Sequence, residues 1–92
     1  MVRELGQIVA TKGIQALAQE NVKFREFCVL SLHRYTCRDW GDTCQSDWKM
    51  NDAALEKGDE RIVAKYNNEF GDIFIITEWN QSVTTVLLCD EY

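Results

Sequence analysis

The sequence predicts an α+β domain in which about three helices from the N-terminal half pack on an antiparallel sheet of three or four strands. Apolar residues recur every three or four positions up to residue 58, which is helical spacing. From residue 61 onward, short runs rich in β-branched residues alternate with turn sequences. Helices followed by hairpins are typical of the α+β class. With 92 residues and no linker-like segment, we expect a single domain covering residues 1–92.

The N-terminal half predicts one short strand followed by two helices. Residues 7–10 are a short, largely apolar run and the candidate fourth strand, and Thr11 can cap the helix that follows them. Asn21 can cap a second helix over residues 22–36. The second helix carries a stripe at helical spacing that comprises Phe24, Phe27, Cys28, Ser31 and Tyr35.

A third helix and three strands complete the predicted fold. Ser46 is the predicted N-cap of the third helix, and Gly58 follows its end in a position that favours a left-handed backbone. Residues 61–66, 72–78 and 83–88 are the predicted strands, joined by two close turns. Close turns between consecutive strands predict an antiparallel meander at the C-terminus.

Composition excludes several classes of protein. The longest apolar run has four residues, Ile73 to Ile76, whereas a membrane span needs about 18. No basic region followed by an apolar stretch opens the sequence, so we expect no signal peptide and a cytoplasmic location. A net charge of −5 argues against direct nucleic-acid binding, because such binding depends on lysine and arginine.

The sequence favours a protein that is not an enzyme and holds neither a metal nor a cofactor. The four cysteines lack the close pairing of zinc knuckles, so free thiols are expected. His33 is the one conventional general base and falls in the middle of a predicted helix. Catalysis by Glu78 and His33 would require both side chains in one pocket.

An acidic segment at residues 39–60 is the most informative feature. It holds seven carboxylates and two lysines and so accounts for the whole net charge of the chain. Tryptophans anchor protein interfaces and carboxylates steer toward basic partners, so we predict a partner-binding surface here. Its candidate residues are Asp39, Trp40, Asp42, Asp47, Trp48, Asp52, Glu56, Asp59 and Glu60. The alternative is a solvated helix that keeps the protein soluble.

Nearly the whole chain resembles a family of short proteins carried on bacterial plasmids and prophages. The segments that carry the resemblance are residues 6–11, 39–42, Asp47 with 51–55 and Gly58, 75–78, and 82–88 with the closing Glu91 and Tyr92. The most specific of them are Asp-Trp-Gly-Asp at 39–42 and Ile-Thr-Glu at 76–78. The sequence departs from the family pattern with Asn80 and Gln81 in a turn where Asp-Arg is common, and with Cys89 where proline is usual.

This resemblance implies a counter-defence role of the anti-CRISPR or anti-restriction type. The expected function is inhibition of a basic, nucleic-acid-handling bacterial defence protein, with a Cas nuclease as the first partner to test. The alternative is a self-associating accessory protein, a homodimer formed through an exposed Phe24 or Phe27 or through the last strand.

Overall fold

Three helices and a four-stranded sheet make up the fold in a computed structural model that describes residues 5–92. The elements are β1 (Gln7–Ala10), α1 (Lys12–Glu20), α2 (Val22–Thr36), α3 (Gln45–Lys57), β2 (Ile62–Tyr66), β3 (Ile73–Thr77), β4 (Val83–Leu88) and a short 3-10 helix (Cys89–Glu91). The α+β class and the order of elements are therefore confirmed.

The sheet has the order β1-β4-β3-β2 and is mixed. Strands β2, β3 and β4 form the predicted antiparallel meander. The expectation of a wholly antiparallel sheet is wrong for β1, which runs parallel to β4 and places Ile8 opposite Thr84. The three helices connect β1 to β2, so the chain crosses one face of the sheet and these edge strands run in the same direction.

The outer edge of β2 is covered, which leaves β4 as the strand available to β1. The Asn51 side chain of α3 donates to the Val63 carbonyl oxygen at 2.8 Å and accepts from the Val63 N–H at 3.3 Å. Gly41 forms an isolated bridge with Lys65 on the same strand. Asn51 is itself buried, so this strand edge is not open for further pairing along Val63.

The caps of α1 and α2 are those that the sequence predicts, and the start of α3 is not. Asn21 accepts a hydrogen bond from the Phe24 N–H at 3.0 Å and caps α2. The predicted cap at Ser46 is wrong, because the N-cap is Cys44 and the helix begins at Gln45. Thr43 donates to the Trp40 carbonyl oxygen and accepts from the Lys65 N–H at 2.8 Å, so the preceding turn is tied to β2 and the helix begins directly after it.

The main core lies between the helices and one face of the sheet. Alternate strand residues point into it, among them Ile62, Ile75 and Val86. From α2, Phe24 and Tyr35 pack against them and are almost completely buried. The opposite face of the sheet carries the remaining strand side chains and is not part of this core.

A chain of buried hydroxyl groups joins α2 to the sheet. Thr84 donates to the Leu5 carbonyl oxygen at 2.6 Å, so its hydroxyl accepts from Thr77 at 2.8 Å. The proton of Thr77 is thereby used, and Tyr35 must donate to Thr77 across their 2.7 Å contact. This one-way chain satisfies two buried threonines and locks the register of α2 over β3 and β4.

We predict that Trp40→Phe destabilises the fold far more than Trp79→Phe. Trp40 is completely buried and donates its indole N–H to Asp52 at 3.0 Å, whereas Trp79 is 62% exposed. Loss of the hydrogen bond to a carboxylate and of packing volume should cost about 2–3 kcal/mol for Trp40→Phe. An exposed substitution such as Trp79→Phe should stay within about 0.5 kcal/mol. Urea unfolding followed by circular dichroism measures both, and equal midpoints for the two variants would contradict the assignment of Trp40 as an anchor.

Candidate protein-binding groove

Two of the predicted binding carboxylates, Asp39 of the loop between α2 and α3 and Asp52 of α3, have partners within the fold. Asp39 accepts two hydrogen bonds from Arg34, at 2.8 and 3.2 Å, and one from the Gly41 N–H at 3.0 Å. The hydrogen bonds from Arg34 hold the pKa of Asp39 below its ordinary value. Because its charge is compensated within the fold, Asp39 does not belong to a docking surface.

Asp52 has a similar structural role. Its carboxylate accepts from the Trp40 indole at 3.0 Å and lies 3.3 Å from the Arg38 guanidinium. The expectation that Asp52 presents a free negative charge to a partner is therefore corrected: Arg38, in the loop before α3, neutralises it.

Neither tryptophan of the acidic segment projects from the surface of the protein. Trp40 is fully buried and packs edge to face on Tyr35, with ring centroids 5.2 Å apart at 75°. Trp48 is half-buried and packs against the main core. Burial of Trp40 removes it from the predicted contact residues, since a large aromatic side chain stabilises this small core by leaving water.

The remaining five acidic residues are exposed but do not form one patch. Asp47 and Glu56 are nine positions apart on α3, which places them on opposite sides of the helix at about 100° per residue. Asp59 lies in the bend after α3, and Glu60 pairs with Lys57 at 3.3 Å. Asp42 lies in the loop before α3. The geometry of the helix thus separates carboxylates that belong to one continuous segment of the sequence.

Asp42, Asp47 and Glu60 nevertheless meet along a groove between α3 and the uncovered face of the sheet. The groove consists of two adjoining hollows, of about 280 and 270 Å³, that share Asp47 and Val63. Its lining is contributed by Asp42, Thr43, Cys44, Asp47, Met50, Asn51, Glu60, Arg61, Val63, Lys65 and Phe74. We call this feature the acidic groove.

The floor of the acidic groove consists of two apolar side chains, Val63 and Phe74, next to Lys65 of β2. Val63 and Phe74 project from the sheet face that the helices leave uncovered, as the alternation of each strand requires. Phe74 packs on the exposed Tyr92 with ring centroids 5.2 Å apart. On the α3 side, Met50 is 66% exposed beside the second hollow. A flexible thioether and two aromatic rings thus form a contact surface next to carboxylates.

Some of the charged groups around the groove have partners within the fold. Arg61 lies 3.6 Å from Glu78 at the end of β3, so this cation is paired within the sheet. Asp42 accepts from the Asn67 N–H at 2.8 Å, which orients its carboxylate at the rim. Asp47, in the first turn of α3, is exposed and points into both hollows. Lys65 lines the first hollow beside Asp42 and Asp47. The groove thus holds three carboxylates against two cations, of which Arg61 is paired with Glu78. Carboxylates in excess beside apolar side chains are suited to a cationic group on an apolar stem.

The groups considered for catalysis and metal binding lie elsewhere. His33 is on the exposed side of α2, whereas Glu78 is paired with Arg61 at the end of the sheet. Within residues 5–92, no group of three or more histidine, cysteine or acidic side chains is arranged to hold a metal ion. The cysteines are free, and burial raises the pKa of Cys28 to about 11, which keeps this thiol protonated. No helix among the described residues is long and apolar enough to cross a membrane.

Comparisons with protein-family models, with curated proteins and with solved structures find no match to this chain. The resemblance to plasmid- and prophage-borne proteins therefore stays a prediction, and the site has to be interpreted from its own geometry.

Sequence patterns did not point to the apolar floor of the groove. Phe74 lies in a run that is apolar on both faces, which signals an interior strand and conceals which side chains remain uncovered. Met50 and Val63 are 13 positions apart in sequence and meet only because Asn51 holds α3 against β2. The one available signal was Met50 itself, an apolar residue among the polar positions of α3.

We predict that Asp39 contributes to acid sensitivity of the fold. A carboxyl group whose pKa is lowered by folding stabilises the protein above its unfolded pKa of about 3.9 and loses that contribution as pH falls through the folded pKa. The free energy of unfolding should therefore drop in acid, and Asp39→Asn should lower it at neutral pH while flattening the drop. Part of the drop should remain, because hydrogen bonds from Thr11 and Leu88 also lower the pKa of Glu91.

Urea unfolding between about pH 6 and pH 2.5 measures this effect. Asp59→Asn is the matched control, since Asp59 is an exposed carboxylate in the bend after α3. An Asp39→Asn profile parallel to that of the wild type would show that the Arg34 pair does not contribute.

Proposed function

We propose that this protein is a non-enzymatic inhibitor that binds a cationic, partly apolar segment of a partner protein in the acidic groove. The observation that carries the proposal is the position of Asp42 and Asp47 above a floor formed by Val63 and Phe74. An arginine or lysine could lay its aliphatic stem on this floor and place its charged head at the carboxylates. Desolvated apolar contact and charge pairing are the two components of a specific interface.

The partner that we propose is a basic, nucleic-acid-handling protein of a bacterial defence system, with a Cas nuclease as the first to test. Two independent considerations support this class. The net charge of −5 favours association with a positively charged surface, and fixed carboxylates raise the rate of such encounters. The resemblance described above implies a mobile-element setting in which inhibition of host defence is useful.

Inhibition would follow from competition for the partner's cationic surface. A nuclease binds its substrate largely by neutralising phosphates with lysine and arginine. A protein that occupies part of that surface with carboxylates excludes the nucleic acid without reproducing a phosphate backbone. The acidic groove fits this role better than mimicry of a duplex, because only three of its carboxylates share one face.

We predict that Asp47→Lys weakens binding of the partner and that Glu56→Lys does not. Both substitutions change one exposed carboxylate of α3 to a cation, but only Asp47 lines the groove, and Glu56 is on the opposite side of the helix. Reversing a charge that pairs across an interface should weaken binding at least about tenfold. Met50→Ala should also weaken binding through lost apolar contact without affecting the net charge.

The assay combines pull-down by a panel of guide-loaded Cas nucleases with cleavage of target DNA. Circular dichroism and urea midpoints confirm that each variant is folded, which matters for Asp47 because it favours the N-terminus of α3. Equal inhibition by wild type and Asp47→Lys would remove the acidic groove from the mechanism. Unimpaired cleavage with every nuclease in the panel would reject this class of partner.

A further inference from the structure

The outward side of α2 is an apolar surface that the fold leaves uncovered. Val22, Val29 and Leu30 are 56, 65 and 57% exposed, although each is a large apolar residue. They lie on the side of the helix opposite Phe24 and Cys28, which are buried in the core. An apolar surface of this kind on a small protein marks an interaction site.

This surface has a palindromic arrangement about the midpoint between Val29 and Leu30. Glu26 precedes Val29 by three positions, and His33 follows Leu30 by three. Val22 and the exposed Cys37 stand at equal distances farther out. Along the middle of the helix, Arg25, Glu26, Val29, Leu30 and His33 line one shallow hollow. The apolar pair is therefore flanked by an acid on one side and a base on the other.

We propose that α2 pairs antiparallel with α2 of a second copy, so that the protein forms a two-fold symmetric homodimer. A two-fold axis through the midpoint brings Val29 against Leu30 and Glu26 against His33, twice each. A two-fold interface requires a surface that is complementary to itself, and a hydrogen-bond acceptor and a donor placed symmetrically around apolar residues meet that requirement. In this pairing the Glu26 carboxylate accepts from the imidazole N–H of His33 in the second copy. This complementarity identifies the occupant of the surface as another copy of the chain.

The like charges of Arg25 and Arg34 do not meet across this interface. The two residues are nine positions apart, which places them on opposite sides of α2 at about 100° per residue. Arg34 is already held by Asp39 through hydrogen bonds of 2.8 and 3.2 Å, and its charge is compensated there. Arg25 is exposed and free to extend into solvent.

The expected dimer is weak and leaves the acidic groove accessible. A helix of 15 residues is about 22 Å long, and a contact between two such helices falls at the small end of specific interfaces. We therefore expect a dissociation constant of about 10–100 μM. Because α2 covers one face of the sheet and the groove opens on the other, the dimer presents two grooves, and its test does not depend on the proposed function.

Sedimentation equilibrium of the whole chain over a concentration series tests the proposal. Leu30→Glu, Glu26→Lys and His33→Glu should each raise the dissociation constant at least about tenfold, because they bury a charge or oppose like charges. The double variant E26K/H33E should restore dimerisation, since it places a lysine opposite a glutamate in each pair. Glu69→Lys, an exposed change in the turn between β2 and β3, is the control and should leave the constant unchanged.

Either of two results would overturn the proposal. The first is a wild-type chain that stays monomeric up to about 1 mM. The second is a double variant no better at dimerising than its single variants, which would exclude the antiparallel register. All the substituted positions are exposed, and urea midpoints verify that the variants stay folded.

Discussion

The loop between α2 and α3 depends on Trp40, whose indole ring is enclosed in the core while its N–H reaches Asp52 on α3. This single side chain links the end of α2, where Tyr35 packs against it, to the body of α3. Around it, the Asp39–Arg34 pair and the Thr43 hydrogen bonds hold the backbone beside β2. Gly41 has a positive φ of 66°, and a Cβ at this position would collide with the Tyr66 ring. Glycine therefore allows the loop to lie this close to β2. The position of α3, and with it the wall of the acidic groove, follows from this anchor.

The same anchor decides which carboxylates are available to a partner. The buried indole and two arginines around this loop use Asp39 of the loop and Asp52 of α3 internally. Of the acids left over, Asp42, Asp47 and Glu60 line the groove, whereas Glu56 and Asp59 do not. Some of these aspartates thus stabilise the fold and others remain available for binding. The aspartates close to Arg34, Arg38 or Trp40 are the ones that stabilise the fold. A stretch of sequence rich in acidic residues therefore does not by itself indicate an acidic surface.

The helices cover only one side of the sheet, and this asymmetry produces both of the proposed interaction surfaces. On the side away from the helices, Ile76 and Leu87 are nevertheless buried. Phe74, which lies opposite Leu87 in the sheet, packs on Tyr92 there. On the far side, α2 has a core-facing stripe and a second apolar stripe that has nothing to pack against among the described residues. The two surfaces lie on opposite sides of the molecule, so a partner in the groove and a second copy on α2 do not compete for space.

Local chemistry alone determined most of the elements of this protein. The Asn21 cap, the three/four repeat of α2 and the alternating strands lie within a few residues of each other, so short-range hydrogen bonding and hydrophobic periodicity were sufficient to predict them. Tertiary structure alone decided the parallel pairing of β1, because that depends on which sheet edge Asn51 and Gly41 have already covered. It likewise decided the composition of the groove. Asp47, Val63 and Phe74 are distant in sequence, and only the packing of α3 across β2 brings a charge and an apolar floor within reach of one ligand.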